Sequence, residues 1–285
     1  MIIGVDIGGT KVAAGLVDAA GNITRKTRVA MSGFSSVHEA IAPLISSDVT
    51  GIGLCSPGPL DYRTGVVINP PNLPYWRDFP LVEETTHAFG VPARLDNDAN
   101  AAALAEVLWG AGKGHRHVFY ATLGTGVGSG FVIDGRIFHG RTGNAAEGGH
   151  VTIDYRGPVC GCGKPGCIEA LASGPAIARR AGMARAEDVG AAYRAGDAKA
   201  RAVLAETAEL LAVWLGNVVD LLDPDVIVVG GGVAELMAPF FDDLRAALPR
   251  WAINPHAREI PMVPARYGAD SGIAGAASLI TTSSE

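Results

Sequence analysis

Three glycine-rich turns each follow an apolar run, and they form the clearest pattern in this sequence that could do chemistry. The turns are Asp6-Ile7-Gly8-Gly9-Thr10-Lys11, Gly124-Thr125-Gly126 and Gly230-Gly231-Gly232. Glycine lets backbone N–H groups face an anion without a side chain in the way, and Thr10, Thr125 and Lys11 add two hydroxyls and a cation. Any one of them alone would be an ordinary tight turn. Together they favour phosphate binding, although none matches the Walker A or G-x-G-x-x-G pattern.

Asp96, Asn97 and Asp98 lie where an apolar run ends and an alanine-rich helical pattern begins. Asp and Asn are favoured at a helix N-cap because they accept hydrogen bonds from the first amides, but one residue is enough for that task. Because the helix N-terminus favours negative charge, we expect a carboxylate here to stay ionised. Such a carboxylate can accept the proton of a hydroxyl group and orient its oxygen as a nucleophile.

His150, Cys160, Cys162 and Cys167 follow one another within eighteen residues. Three thiolates and one imidazole make a closed ligand set for tetrahedral zinc, and the surrounding glycines supply the tight turns that such wrapping requires. A redox pair or uninvolved thiols are the alternatives. The fourth cysteine, Cys55, stands apart and has no evident role.

Two carboxylates flank this cysteine cluster in the sequence. Glu147 precedes His150 by three residues, and Glu169 follows Cys167 by two. Zinc binding would hold Glu147, His150 and Glu169 near one another, and such side chains suit the hydroxyls of a sugar ring.

The elements that position these residues include an internal repeat. Residues 1–22 and residues 117–137 show the same order of parts: an apolar run, a glycine turn, a second apolar run and a turn that contains both Asp and Gly. Each copy predicts a β-hairpin, and the 116-residue offset between Gly8 and Gly124 indicates two related lobes produced by duplication. The polar stretch 112–116 is the expected boundary between them.

Strands and helices alternate around the two hairpins, which indicates a mixed α/β class. The expected further elements are a strand at 91–95, a helix at 98–109, a helix at 197–222, a strand at 226–229, a helix starting at Val233 and a C-terminal helix at 271–280.

Composition excludes several function classes. The chain has 285 residues, 48% of them hydrophobic and 18% charged, so it can build a sizeable core and is not disordered. A net charge of −6 argues against a general nucleic-acid or anionic-membrane binder. No run approaches the roughly 18 apolar residues that span a bilayer, and the N-terminus has no signal-peptide pattern. Four cysteines are too few for a disulfide scaffold, so we expect a soluble, cytoplasmic protein.

Taken in order, the motifs resemble those of the ROK family, which contains bacterial sugar kinases and related repressors. The matching segments are Asp6-x-Gly8-Gly9-Thr10-Lys11, Asn97-Asp98-Ala99-Asn100, Gly124-Thr125-Gly126-x-Gly128, Glu147-x-Gly149-His150 and Cys160-x-Cys162-Gly163-x3-Cys167-x-Glu169. The resemblance implies a two-lobed actin-like (ribonuclease H-like) sugar kinase fold with duplicated α/β domains. It places a small lobe at 1–113, completed by a C-terminal helix at 270–285, and a large zinc-containing lobe at 114–269.

The same resemblance assigns roles to individual residues. Asp98 is the expected catalytic base. The residues expected to hold the other sugar hydroxyls are Asn97, Glu147, His150 and Glu169. The residues expected to contact ATP and Mg²⁺ are Asp6, Gly8, Gly9, Thr10, Lys11, Gly124, Thr125, Gly126, Gly231 and Gly232. The expected zinc ligands are His150, Cys160, Cys162 and Cys167, with zinc in a structural role.

The implied function is transfer of the γ-phosphoryl group of ATP to the 6-hydroxyl of glucose, a glycolytic reaction. Two proline-rich segments, 56–59 and 69–76, look more like those of bacterial glucokinases than of acetylhexosamine kinases. The alternatives are an N-acetylglucosamine or N-acetylmannosamine kinase, a fructokinase, or a non-catalytic sugar-sensing regulator of the same family. A dinucleotide-dependent oxidoreductase is a further alternative, but the strict glycine fingerprint is missing. A homodimer or tetramer is expected from the family, with no nucleic-acid or membrane partner.

Overall fold

Two β-sheets organise the chain, and each belongs to a separate unit of the computed structural model, which describes residues 1–281. The first unit holds residues 1–113, 135–145 and those from Ala269 onward, and the second holds 114–134 and 146–268. The last four residues of the predicted segment 270–285 lie outside the described residues.

Residues 1–113 contain most of the first unit. Its elements are β1 (Ile2–Ile7), β2 (Lys11–Val17), β3 (Ile23–Ala30), α1 (Phe34–Ile41), β4 (Gly51–Ser56), β5 (Leu60–Asp61), β6 (Val66–Val67), α2 (Leu81–Phe89), β7 (Ala93–Asn97) and α3 (Asp98–Trp109).

The remaining elements follow in chain order. They are β8 (His117–Leu123), β9 (Val127–Ile133), β10 (Arg136–Ile137), α4 (Ile168–Ala172), α5 (Gly174–Ala181), α6 (Ala186–Arg194), α7 (Ala198–Leu222), β11 (Val226–Gly230), α8 (Gly232–Met237), α9 (Phe241–Ala247), β12 (Met262–Pro264) and α10 (Ser271–Thr281).

The two predicted hairpins are confirmed, and the sheets built on them share one strand order. In the first sheet the order is β3-β2-β1-β4-β7, with β1 and β2 antiparallel and β1, β4 and β7 parallel. In the second, β9, β8, β11 and β12 follow one another in the same way, with an antiparallel hairpin and then parallel strands. The repeated hairpin therefore extends to a repeated four-strand arrangement. Parallel strands covered by helices need long apolar runs, and β4 and β11 are buried throughout.

The helix α10 packs directly on the first sheet. Glycines at positions 4 and 53 make this possible, because an added Cβ at either would overlap backbone oxygen atoms of α10. The described part of the C-terminal segment thus belongs to the core of the first unit, together with β1, β4 and α3.

The longest helix, α7, forms much of the second unit's core. Asp197 caps its N-terminus by accepting a hydrogen bond from the Ala200 amide at 2.7 Å, and the helix ends at Leu222, as predicted. By length and composition α7 could also cross a membrane, but 61% of its most apolar window is buried within the protein. A core helix therefore accounts for its apolar character. Glu206 and Glu209 interrupt its apolar run, so the sequence predicts a helix here and no membrane span.

Residues 135–145 depart from the predicted boundaries of the lobes. They fall within the lobe expected at 114–269, whereas the structure places them in the first unit. The physical reason is packing: Ile137 lies against the buried cluster of Leu104 and Leu279, and the Arg141 carbonyl accepts a hydrogen bond from Arg63 at 3.3 Å.

Gly53→Ala should destabilise the first unit. The new methyl group would overlap the Ala276 carbonyl oxygen, which belongs to the helix backbone and has no flexible side chain to move aside. Overpacking of this kind costs about 1–3 kcal/mol. Urea unfolding measures the change, and an unfolding free energy within about 0.5 kcal/mol of the unsubstituted protein would contradict the packing described.

Candidate functional site

Asp96, Asn97 and Asp98 lie at the junction between β7 and α3, where the sequence placed them. Asn97 is the N-cap: its Oδ1 accepts hydrogen bonds from the amides of Ala99 at 2.9 Å and Asn100 at 3.4 Å. The strand begins two residues later than predicted and runs directly into the cap. Because Asn97 already caps the helix, the carboxylate of Asp98 can also serve another purpose.

Asp98 is exposed to solvent, although neighbouring protein atoms still partly desolvate its carboxylate. This desolvation raises its pKa, and the hydrogen bond from the Ala99 amide to Oδ1 at 2.8 Å opposes the change only in part. The helix N-terminus favours an ionised Asp98, as expected, but desolvation outweighs the amide contacts and sets the direction of the pKa change. A carboxyl group with a raised pKa is a better proton acceptor than an ordinary aspartate.

Asp6 lies at the end of β1, beside Cys55 in the register of the parallel strands. Burial raises the pKa of Asp6, and the negative charge of Asp98 raises it further, whereas Lys11 and Arg28 lower it. Two carboxylates that disfavour each other's charge make a place where a cation is stabilising.

The side chain of Cys55 contacts the carboxylate of Asp6. Its thiol is buried, donates to the Gly272 carbonyl oxygen at 3.3 Å and lies 3.8 Å from Asp6 Oδ1. Burial raises the pKa of this thiol well above its ordinary value, so it stays protonated and can donate. The sequence offered no role for Cys55, because the relation depends on the strand register.

The first glycine turn, between β1 and β2, uses one of its amides internally. Gly8 N–H donates to the Lys11 carbonyl oxygen at 2.9 Å and closes the hairpin. Among the residues that the structure describes, the amides of Gly9 and Thr10 donate no hydrogen bond, and both residues are exposed. The amides of Gly9 and Thr10 are thus the ones that could face an anion, whereas the Gly8 amide is occupied by the hairpin.

The second glycine turn joins β8 to β9. Gly124 N–H donates to the Gly126 carbonyl oxygen at 2.9 Å, so this amide is also occupied by the hairpin. Glu169 Oε2 accepts a hydrogen bond from the Val127 amide at 3.1 Å and would stand 2.6 Å from a Cβ at position 126. Glycine at position 126 is therefore what lets Glu169 approach the turn.

The third glycine turn leads from β11 into α8. Gly231 has a φ of +88°, and a Cβ there would overlap the Leu123 carbonyl oxygen, so only glycine fits beside the end of β8. This close approach brings the second and third turns together at one end of the second sheet. They border a cavity of about 700 Å³ lined by residues including Thr125, Gly174, Arg185, Arg194 and Gly232. The two arginines were not predicted, because cations on a helix are usually solvated and carry no recognisable pattern.

The three clustered cysteines and His150 converge in space. Their ligand atoms all lie within 4.8 Å of one another, with Cys160 Sγ 3.7 Å from His150 Nδ1 and Cys162 Sγ 3.6 Å from Cys167 Sγ. Zinc–ligand bonds of about 2.0–2.3 Å in a tetrahedron place neighbouring donors about 3.6–3.8 Å apart. These two separations match such tetrahedron edges and are far longer than a disulfide bond. The donor set therefore fits a zinc ion.

The thiols of this cluster differ in environment. Desolvation raises the pKa of Cys160 to about 12 and also raises that of Cys167. The Lys164 backbone N–H lowers the pKa of Cys162, which is exposed.

His150 belongs to this cluster, and of the other two predicted sugar-binding residues of the second unit, Glu169 has its side chain against the cluster. Glu169 Oε1 accepts from Cys160 Sγ at 3.4 Å and lies 4.0 Å from His150 Nδ1. Glu147 is exposed, and its backbone carbonyl accepts the His150 amide at 3.1 Å in a short 3₁₀ turn. The structure thus places Glu169 between the cysteine cluster and the second glycine turn.

Comparisons with known proteins agree over nearly the whole chain. The model of the ROK family matches residues 2–283. The glucokinase of Thermotoga maritima is 35% identical over 98% of this chain and 96% of its own length. The N-acetylmannosamine kinase of Salmonella typhi is 33% identical over 97% of both chains. A crystal structure of a ROK family glucokinase from Streptomyces griseus in complex with glucose and AMPPNP has a TM-score of 0.84, 35% identity and 98% coverage of both chains.

These matches cover both units and all the motifs set out above. The actin-like α/β fold, with its duplicated sheets, is that of the ROK sugar kinases. The chain belongs to the ROK family.

Proposed function

We propose that this protein is an ATP-dependent hexose kinase that transfers the γ-phosphoryl group to the 6-hydroxyl of glucose. The observation that carries the proposal is the β7–α3 junction, where Asn97 caps the helix and leaves Asp98 exposed with a raised pKa. The similarity to glucokinases in sequence and in structure supports glucose as the acceptor.

In this proposal Asp98 is the base. Its carboxylate accepts the proton of the 6-hydroxyl as that oxygen bonds to the γ-phosphorus and the bond to the leaving ADP oxygen breaks. Phosphoryl transfer depends mainly on positioning and on neutralising charge, so a single well-placed carboxylate is sufficient as a base. Asn97, Glu147, His150 and Glu169 would hold the remaining hydroxyls.

The glycine turns would bind the nucleotide. The exposed amides of Gly9 and Thr10, with Lys11 beside them, suit phosphate oxygens. The cavity beside Gly232 is large enough for an adenosine, and its lining by Gly124, Thr125 and Gly232 supports their predicted nucleotide contacts. Asp6 would hold Mg²⁺, because the neighbouring charge of Asp98 makes a cation stabilising there, and Mg²⁺ supplies charge neutralisation of the phosphates when bound.

Zinc would be structural in this enzyme. His150, Cys160, Cys162 and Cys167 form a closed set with no free coordination position for substrate. Zinc bound to these four ligands would fix the position of His150 and of its neighbour Glu169, which accepts a hydrogen bond from the Val127 amide. The metal would therefore act on sugar binding through these neighbouring residues. The oligomeric state, cytoplasmic location and glycolytic role stay predictions from the family.

The first test is a coupled ADP-release assay with glucose, mannose, fructose, N-acetylglucosamine and N-acetylmannosamine. We expect glucose to give the highest kcat/KM. Turnover of none of these sugars would refute the hexose kinase proposal. The similarity to an N-acetylmannosamine kinase makes a preference for that sugar the second candidate, and such a result would overturn glucose as the acceptor.

Asp98→Asn should abolish catalysis while leaving glucose binding measurable. Loss of a general base costs about 10²–10⁴-fold in rate. Asp78→Asn is a matched control, because Asp78 is exposed and its left-handed backbone, with φ of +48°, tolerates Asn. A near-normal kcat for Asp98→Asn would rule out the base role.

The raised pKa of Asp98 also predicts an effect of pH on stability. Its ionised form is penalised in the folded state, so this cost is present at neutral pH and disappears as pH falls through the folded pKa toward the unfolded one. Asp98→Asn should therefore unfold at a higher temperature than the unsubstituted protein at pH 7, with the gap narrowing in acid. A lower melting temperature at pH 7 would contradict the desolvation.

Elemental analysis should find about one zinc per chain. Cys167→Ser should lose zinc and bind glucose more weakly in calorimetry, whereas Cys55→Ser, outside the cluster, should keep its zinc. Unchanged glucose affinity in a zinc-free protein would refute the orienting role of the metal.

A further inference from the structure

Asp96 is a buried carboxylate that the proposed chemistry does not use. Its side chain is only 5% exposed. One oxygen, Oδ1, accepts the Asn97 amide at 2.7 Å and the Asn100 side-chain amide at 3.1 Å. The two donors lie at the N-cap and in the first turn of α3, so this one oxygen joins the end of the strand to the start of the helix.

The other oxygen of Asp96 contacts a histidine from a distant part of the sequence. His139 Nε2 lies 2.6 Å from Oδ2, and its side chain is 19% exposed. A carboxylate oxygen accepts, so Nε2 is the donor in this contact. His139 belongs to the segment 135–145, which the structure places in the first unit together with Asp96.

The imidazole of His139 is itself held in place. Its ring stacks on Tyr62 with a centroid separation of 3.6 Å and an angle of 6°, and the Arg63 guanidinium lies 5.1 Å from the centre of the tyrosine ring. The Ala145 amide donates to the His139 carbonyl oxygen at 3.2 Å, which fixes the local backbone. The donor atom therefore has little freedom to leave Asp96.

We propose that His139 is a positioning residue for the phosphoryl transfer: through Nε2 it holds Asp96, and Asp96 holds the junction that presents Asn97 and Asp98. This inference rests on the proposed function of Asp98. Without His139, Oδ2 of a nearly buried carboxylate loses its donor, and Asp96 can turn away from the amides that it aligns. A small displacement of a base from its reacting hydroxyl is costly to the rate.

Variants at position 139 separate the hydrogen bond from the ring. In His139→Gln the side-chain nitrogen is as many bonds from Cα as Nε2 is, so it can still donate to Asp96. His139→Asn places its nitrogen one bond short, and His139→Phe keeps the ring against Tyr62 but has no donor. His87→Ala is the control, since His87 is an exposed histidine on α2 in the same unit.

We expect the Asn and Phe variants to lose between about tenfold and hundredfold in kcat. KM for ATP should stay close to that of the unsubstituted protein. The Gln variant should recover kcat to within about threefold of the unsubstituted value. A purely structural role would lower kcat only in proportion to lost stability. The proposal would be overturned if the Gln variant did not recover kcat while the Phe variant stayed active.

A second measurement does not depend on activity. Amide hydrogen exchange in a peptide spanning 95–104 should accelerate in the Asn and Phe variants and not in the Gln variant or in His87→Ala. Equal protection of this peptide in all four variants would show that the contact between His139 and Asp96 does not hold the junction. If the unsubstituted protein phosphorylates no hexose, the proposed function fails, and the exchange pattern still decides whether His139 holds this junction.

Discussion

The hydrogen bonds from the first amides of α3 to the Asn97 side chain decide what the neighbouring aspartates can do. A helix that begins directly after a strand leaves orphan amides, and some acceptor must satisfy them. Because Asn97 does so, Asp98 is left on an open surface and Asp96 is left beneath the junction. In the proposed function these three consecutive polar residues would take separate roles, with Asn97 as the cap, Asp98 as the base and Asp96 as the support.

The register of the first sheet builds on the same junction. Asp6, Cys55 and Asp96 lie side by side across β1, β4 and β7. The carboxylate that would hold Mg²⁺ and the segment that carries the base therefore end at the same edge of one sheet. In the second unit the equivalent edge carries the glycine turns at 124–126 and 230–232, which meet because Gly231 packs against Leu123. The two related sheets therefore carry different groups at equivalent edges: carboxylates in the first unit and glycine turns in the second.

Much of this could be predicted from the sequence, because the features involved are local. The hairpins, the helix from Asp98 and the convergence of His150 with three cysteines follow from apolar spacing, capping residues and turn residues. What could not be predicted depends on contacts between segments far apart in the chain. The donation of Cys55 to Gly272, the packing of Ile137 on the first unit and the pairing of His139 with Asp96 have no local signal. The raised pKa of Asp98 belongs to the same class, since it depends on how densely distant atoms surround the carboxylate.

The central claim is that the 6-hydroxyl oxygen of glucose bonds to the γ-phosphorus of ATP. Phosphorus NMR of the product formed from ATP and glucose labelled with ¹⁸O at the 6-hydroxyl tests this directly. The account predicts a phosphate ester whose phosphorus resonance carries the isotope shift of a directly bonded ¹⁸O. An ester without that shift would show that another oxygen of the sugar attacks, and would contradict the account.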